Sequence, residues 1–132
     1  MNPPRRETRR TIGGRSWRRG HGAEWLAALF LMAKGYQILA FRLPSKAGEI
    51  DILARRGRWL VVVEVKHRAD LTTASQALAP AQLRRLVAAG QAVQRGRRSL
   101  AGLTLRIDMV ALAPRRFPRH IQGVGGDGAR GL

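Results

Sequence analysis

Asp51, Glu64 and Lys66 spell Asp-x12-Glu-x-Lys across two strand-like runs, GEIDILARR and WLVVVEVKHR. Glu49 lies beside them and Glu24 falls on a helix-like segment upstream, so four of the eight acidic residues gather at one place. Carboxylates grouped with a lysine could hold a divalent cation beside a phosphate ester. Oxygen donors in a chain without cysteine suit Mg2+ or Mn2+, which keep waters and accept phosphate oxygens. Such a cation activates a water and polarises the phosphate. Asp51 and Glu64 are the expected metal ligands, joined by the Val65 carbonyl. Glu24 is expected to join the shell through water or a second ion. Lys66 would orient the water or neutralise charge developing at phosphorus.

The remainder of the chain is strongly basic. It has 25 Lys and Arg against 8 Asp and Glu, a net charge of +17, with only three lysines among the cations. Such a balance points to nucleic acid, the ribosome or an anionic membrane as partner. GC-rich codon usage would favour Arg over Lys, but it does not account for so few acids. Membrane binding is not expected, because no helix pairs a basic face with a wide exposed apolar one. No apolar run reaches the roughly 20 residues of a membrane span, and no secretory hydrophobic segment follows the charged start. Disulfides and thiolate metal sites are excluded. A cytoplasmic protein is the simplest expectation.

The 132 residues suffice for one domain with a real core. Residues 1–16 read as a basic, flexible arm, residues 17–122 as the folded domain, and residues 123–132 as a Gly-rich disordered tail. A helix is expected from somewhere in 16–22 to about Lys34, apolar on most sides and therefore packed inside the fold, with Gly35 as its stop. Tyr36 to Leu43 reads as a strand, and Pro44 to Gly48 as a turn. Glu49 to Arg55 and Trp59 to Lys66 are the next two strands. Gly57-Arg58 suits a two-residue type II′ hairpin loop, which pairs Arg56 with Trp59 and places Asp51 opposite Glu64 and Glu49 opposite Lys66. A three-residue loop would instead turn Asp51 to the other face; turn chemistry favours the two-residue form. A second helix should start at Pro80 and run to about Arg95, followed by a strand from Leu103 to Ala113. The order α-β-β-β-α-β implies a mixed sheet flanked by helices.

Several residues have plainer readings. Glu49 is expected to pair with Lys66 or Arg42 rather than bind metal, and Asp108 to pair with an arginine. His67 reads as structural or surface, His21 as a surface histidine, and Trp59 as core.

GEIDILA, VEVKHR, the helix segment GAEWLAALFLMAKGYQIL, LRIDMVAL and PRRFPRHI resemble the uncharacterised YraN-type family of bacterial proteins over about residues 17–121. That family is placed in the PD-(D/E)xK superfamily, close to archaeal Holliday-junction resolvases. The resemblance implies a restriction-endonuclease-like three-layer α/β fold with a central mixed sheet. It also implies catalytic roles for Glu24, Asp51, Glu64 and Lys66. Nucleic-acid contacts are expected at Arg18, Arg19, Arg42, Lys46, Arg68, Gln82 and Arg85. Gln82 stands where the family usually has a lysine, and the Gly-rich tail replaces its usual ending. The expected function is metal-dependent hydrolysis of DNA phosphodiesters, with branched or junction structures as candidate substrates. A junction resolvase would be a homodimer, because two symmetric cuts need two sites. The alternative is a nucleic-acid-binding module that keeps the fold without turnover; a basic ribonucleoprotein component ranks third, since it gives no reason for the gathered carboxylates.

Overall fold

The computed structural model describes residues 14–67 and 78–124, with side chains of the first helix described from residue 22 onward. Helix α1 (Gly14–Ala33) is followed by strands β1 (Gln37–Leu43), β2 (Ile50–Arg56) and β3 (Trp59–His67), helix α2 (Pro80–Gly96), a 3-10 turn (Arg98–Leu100), and strands β4 (Thr104–Leu112) and β5 (Arg119–Ile121). The five strands form one sheet in the order β1-β2-β3-β4-β5. Only β3 and β4 run parallel, since α2 carries the chain back between them. The sheet is therefore mixed, with one helix on each face, an α/β architecture consistent with a restriction-endonuclease-like three-layer fold. The short fifth strand adds to the expected order.

β3 sits in the middle because its sequence allows nothing else. Leu60, Val61, Val62 and Val63 are all fully buried, as a strand covered on both faces must be. Side chains alternate, so Val61 and Val63 pack with Ala27, Ala28 and Leu31 of α1, while Leu60 and Val62 pack with Leu86, Ala89 and Val93 of α2. α2 begins with Pro80 in its first turn, after Ala79 at ψ 145°, where a missing N–H costs nothing. It lies close to the sheet at Gly90: a Cβ there would stand 2.6 Å from a Leu105 methyl and 3.0 Å from one of Val62.

The β2–β3 hairpin has the expected two-residue loop. Arg56 pairs with Trp59, and the ladder runs to Ile52↔Val63. Gly57 has φ +61°, and Arg58 has no positive φ, which fits the type II′ turn.

Three expectations are corrected. Helix α1 does not pack inside on most sides: Trp25, Leu26, Leu29 and Met32 are 42–58% exposed. Ala23, Ala27 and Ala28, with Leu31, face the sheet, and most of the bulky residues are left on the flanks. Trp25 there leans on Phe41, ring centroids 5.0 Å apart. The same helix begins at Gly14, inside the expected arm. At the other end, the chain stays packed past the expected start of the tail. Val124 is 4% exposed and donates its N–H to the Ile107 carbonyl at 2.8 Å. Residues 1–13 and 125–132 lie outside the described residues.

Arg106 and Asp108, two apart on β4, point the same way and are both buried. Asp108 is fully enclosed. Arg106 donates through Nε and Nη2 to its two oxygens at 2.8 and 2.7 Å. Gly123 N–H donates to Oδ1 at 3.0 Å, and His120 Nε2 lies 2.7 Å from Oδ2. Arg106 also donates to the Tyr36 hydroxyl at 2.6 Å and lies over the Trp59 ring. Asp108 is thus the arginine partner that was expected, and Trp59 flanks the core. Burial would raise the Asp108 carboxyl, but hydrogen bonds from His120, Arg106 and Gly123 outweigh it and hold it below the usual range.

Candidate metal and nucleic-acid site

One end of the sheet gathers the carboxylates. The strands β1 and β3 end there and β2 begins there, so Arg42, Glu64 and Asp51 arrive from three neighbouring strands. The β2–β3 ladder stops at Ile52↔Val63. One step beyond, the Asp51 side chain replaces the backbone as acceptor: Oδ2 receives the Val65 N–H at 2.9 Å. This bond fixes the Asp51 carboxylate against the strand that carries Glu64.

Glu64 lies on the β3 face that α2 covers. The first turns of α2 place Gln82 and Arg85, three apart and so on one side of the helix, over it. Gln82 Nε2 donates to Glu64 Oε2 at 2.7 Å. Lys66 Nζ stands 3.2 Å from the same oxygen, and Arg85 Nη2 stands 4.0 Å from Oε1. Glu24 comes from α1 and is 5% exposed. Arg42 ties it in, with Nη1 3.4 Å from Glu24 Oε2 and Nη2 3.5 Å from Glu49 Oε1. Of the two expected partners, Glu49 takes Arg42. Arg42 holds this bridge from a backbone at φ +48°, unusual for a residue with a side chain.

The electrostatics follow from burial and like charge. Desolvation first, then repulsion from Asp51 and Glu49, raise the Glu24 carboxyl from about 4.5 to about 7, against the opposing pull of Arg42. Burial also raises Asp51; the Val65 N–H and Arg42 oppose this, and Glu64 and Glu49 reinforce it. One oxygen, Glu24 Oε1, is buried without a hydrogen-bond partner. A buried carboxylate oxygen left unpaired beside other acids is what a cation would relieve.

The donor set fits Mg2+ or Mn2+ in part. Among the described residues no three acidic or imidazole side chains form a ready cage. Mg2+ does not need one, because it is held by one or two carboxylates and completes its octahedron with water and substrate phosphate. Asp51 and Glu64 would supply those carboxylates, with Glu24 reaching the shell through water.

Arg85 borders the site on the α2 side. Arg85 Nη1 donates to the Glu49 carbonyl at 3.3 Å, and Lys46 is exposed in the turn before Asp51. Arg68 lies outside the described residues, as do the side chains of Arg18, Arg19 and His21. His67 is exposed at the end of β3. The contact of Gln82 and Arg85 with Glu64 was missed in the sequence, although their spacing on an amphipathic helix was its signal. His120 was missed as well.

A family model described as "Uncharacterised protein family UPF0102" matches residues 23–112. The chain belongs to the UPF0102 family, the YraN-type family that its motifs resemble. The matched span holds Glu24, Asp51, Glu64, Lys66, Gln82 and Arg85. A UPF0102 protein of Caulobacter vibrioides is 49% identical over 107 residues, covering 81% of this chain and 86% of that protein. One from another Caulobacter species is 46% identical over 121 residues, 92% and 87% of the two chains. One from Brucella canis is 48% identical over 103 residues, 78% and 82%.

Proposed function

We propose that this chain is a metal-dependent nuclease that hydrolyses phosphodiester bonds of DNA, with branched or junction structures among its substrates. The support is one arrangement: Asp51 fixed by the Val65 N–H beside Glu64, and the buried Glu24 with an unpaired oxygen, in a chain of net charge +17.

Asp51 and Glu64 would hold the cation, with Glu24 beside them. Mg2+ or Mn2+ bound there would lower the pKa of a bound water and polarise the scissile phosphate. Lys66, anchored on Glu64 at 3.2 Å, would stabilise the negative charge that grows on the phosphoryl oxygens. Arg42 and Arg85 neutralise flanking phosphates, and Gln82 holds Glu64 in one orientation. Symmetric cutting of a junction would need two such sites, and so two copies of the chain. No described helix is long and apolar enough to cross a membrane; a cytoplasmic location belongs to the same proposal.

One observation favours a second reading, a nucleic-acid-binding module without turnover. Glu64 already has Gln82 and Lys66 on one oxygen and Arg85 near the other, so its charge is partly balanced without metal. The two readings part in one experiment. Wild type and Glu64→Ala are incubated with labelled junction, flap, duplex and single-stranded DNA in Mg2+, Mn2+ or EDTA. Cleavage by wild type that needs metal and Glu64 supports the nuclease. Tight binding with no cleavage of any substrate supports the module.

A further inference from the structure

We propose that the groove between the Pro44–Gly48 turn and the C-terminal half of α2 is a second phosphate-binding site, which holds the backbone of the nucleic acid whose scissile bond lies at the carboxylates. The inference deepens the nuclease reading and rests on it. It makes the substrate an extended polynucleotide that spans both places rather than a nucleotide or a short end.

The groove has a volume of about 480 Å³ and is bordered by Lys46 from the turn and by Arg95 and Arg97 from α2 and its end. All three cations are exposed, and none has a carboxylate partner among the described ion pairs. No Asp or Glu occurs between Pro80 and Ile107. Of the five acids among the described residues, four lie at the carboxylate site and Asp108 is sealed under Arg106. Among the described residues, no acid lines the groove to balance its three cations. Its apolar walls, Leu43 and Val93, lower the local dielectric and strengthen the hold of these charges on an anion. Arginine's planar fork matches phosphate oxygens in pairs.

The same turn and helix that form the groove also reach the carboxylates. Arg85 of α2 donates to the Glu49 carbonyl just past the turn and lies 4.0 Å from Glu64. Along α2 the exposed positions Arg84, Ala88, Gln91 and Arg95 recur at helical spacing, a stripe with arginine at each end. Gln82, bonded to Glu64, and Arg95 are thirteen residues apart on this helix, or about 20 Å at the α-helical rise. Phosphates on one strand of a duplex follow each other by about 3.4 Å along the axis. The two places thus stand about six nucleotides apart.

The test uses the whole chain carrying Lys46→Ala, Arg95→Ala and Arg97→Ala together. A control removes the same charge elsewhere, with Arg58→Ala, Arg116→Ala and Arg119→Ala. Thermal melts by circular dichroism establish that each is folded. Binding of a fluorescein-labelled DNA duplex of about 20 base pairs is followed by anisotropy in EDTA, from roughly 50 to 200 mM salt. Each phosphate contact contributes about 0.9 to the slope of log K against log salt. The groove variant is expected to lose about 2–3 from that slope, and the control much less. An unchanged slope in the groove variant, or an equal loss in the control, overturns the proposal. Wild type that cleaves while the groove variant keeps its slope leaves the nuclease standing without the groove. A slope lost in the groove variant alone, with no cleavage by wild type in Mg2+, leaves the groove standing without the nuclease. No binding by wild type removes both.

Discussion

Gln82 donates a 2.7 Å hydrogen bond to Glu64, so the residue expected on a phosphate is found on a carboxylate. A partner that orients a metal-binding group typically contributes about 10–100-fold in metal affinity or activity. Gln82→Ala is predicted to raise the Mg2+ concentration needed for half-maximal cleavage by about 10-fold or more. The salt slope of DNA binding should stay the same. A slope reduced by about 1 with unchanged Mg2+ dependence would instead assign Gln82 to phosphate.

Glu24 makes the metal-free protein sensitive to pH. Its carboxyl is raised from about 4.5 to about 7, so between those values the folded state holds more protons than the unfolded. Stability then falls as pH rises through this window, and the penalty is complete above about 7. A shift of this size corresponds to on the order of 3 kcal/mol. Urea unfolding in EDTA should show lower stability at pH 8 than at pH 5, and Glu24→Gln should flatten most of that slope. Saturating Mg2+ should also restore stability at pH 8.

The Arg106–Asp108 pair should behave as a buried pair does. Asp108→Ala leaves Arg106 enclosed without its partner and is predicted to cost about 3–5 kcal/mol in urea unfolding. Replacing both by apolar residues of similar volume should cost clearly less. Equal losses in the single and double variants would contradict the pairing.

Gly57 sets the register that puts Asp51 beside Glu64. At φ +61° a β-branched residue is strained, so Gly57→Val should destabilise by about 1–3 kcal/mol. Gly57→Ala, which lacks the β-branch, should cost less than Gly57→Val yet still destabilise, because any Cβ is disfavoured at this φ. The comparison is read from thermal melts.

The residues themselves carried the outline of the fold. A run of valines fixed β3 as central, Gly57-Arg58 fixed the hairpin, and Pro80 fixed the start of α2, because each is a local constraint. Helix α1 was misjudged for a physical reason: hydrophobicity alone does not say whether alanines or bulky residues face a sheet, and here Ala23, Ala27 and Ala28 face it with Leu31. β5 is three residues long and depends on β4 for its pairing, so it has no signal of its own. At the site, the expected pairs Asp51 with Glu64 and Glu49 with Lys66 do not form, because the ladder stops at Ile52↔Val63: Asp51 takes the Val65 N–H and Glu49 takes Arg42. Arg42's bridge between Glu24 and Glu49 was not legible, because it rests on a left-handed backbone at a residue other than glycine. The buried network around Asp108 was half visible, as Arg-x-Asp on one strand face; His120 joins it from a separate strand.

The most direct test of the proposed function is the rate of DNA cleavage by wild type and Asp51→Asn over a Mg2+ series. Wild-type cleavage should rise with Mg2+ and vanish in EDTA, and Asp51→Asn should be slower by more than about 100-fold at every concentration. Equal rates for the two proteins, or cleavage that persists in EDTA, would contradict it.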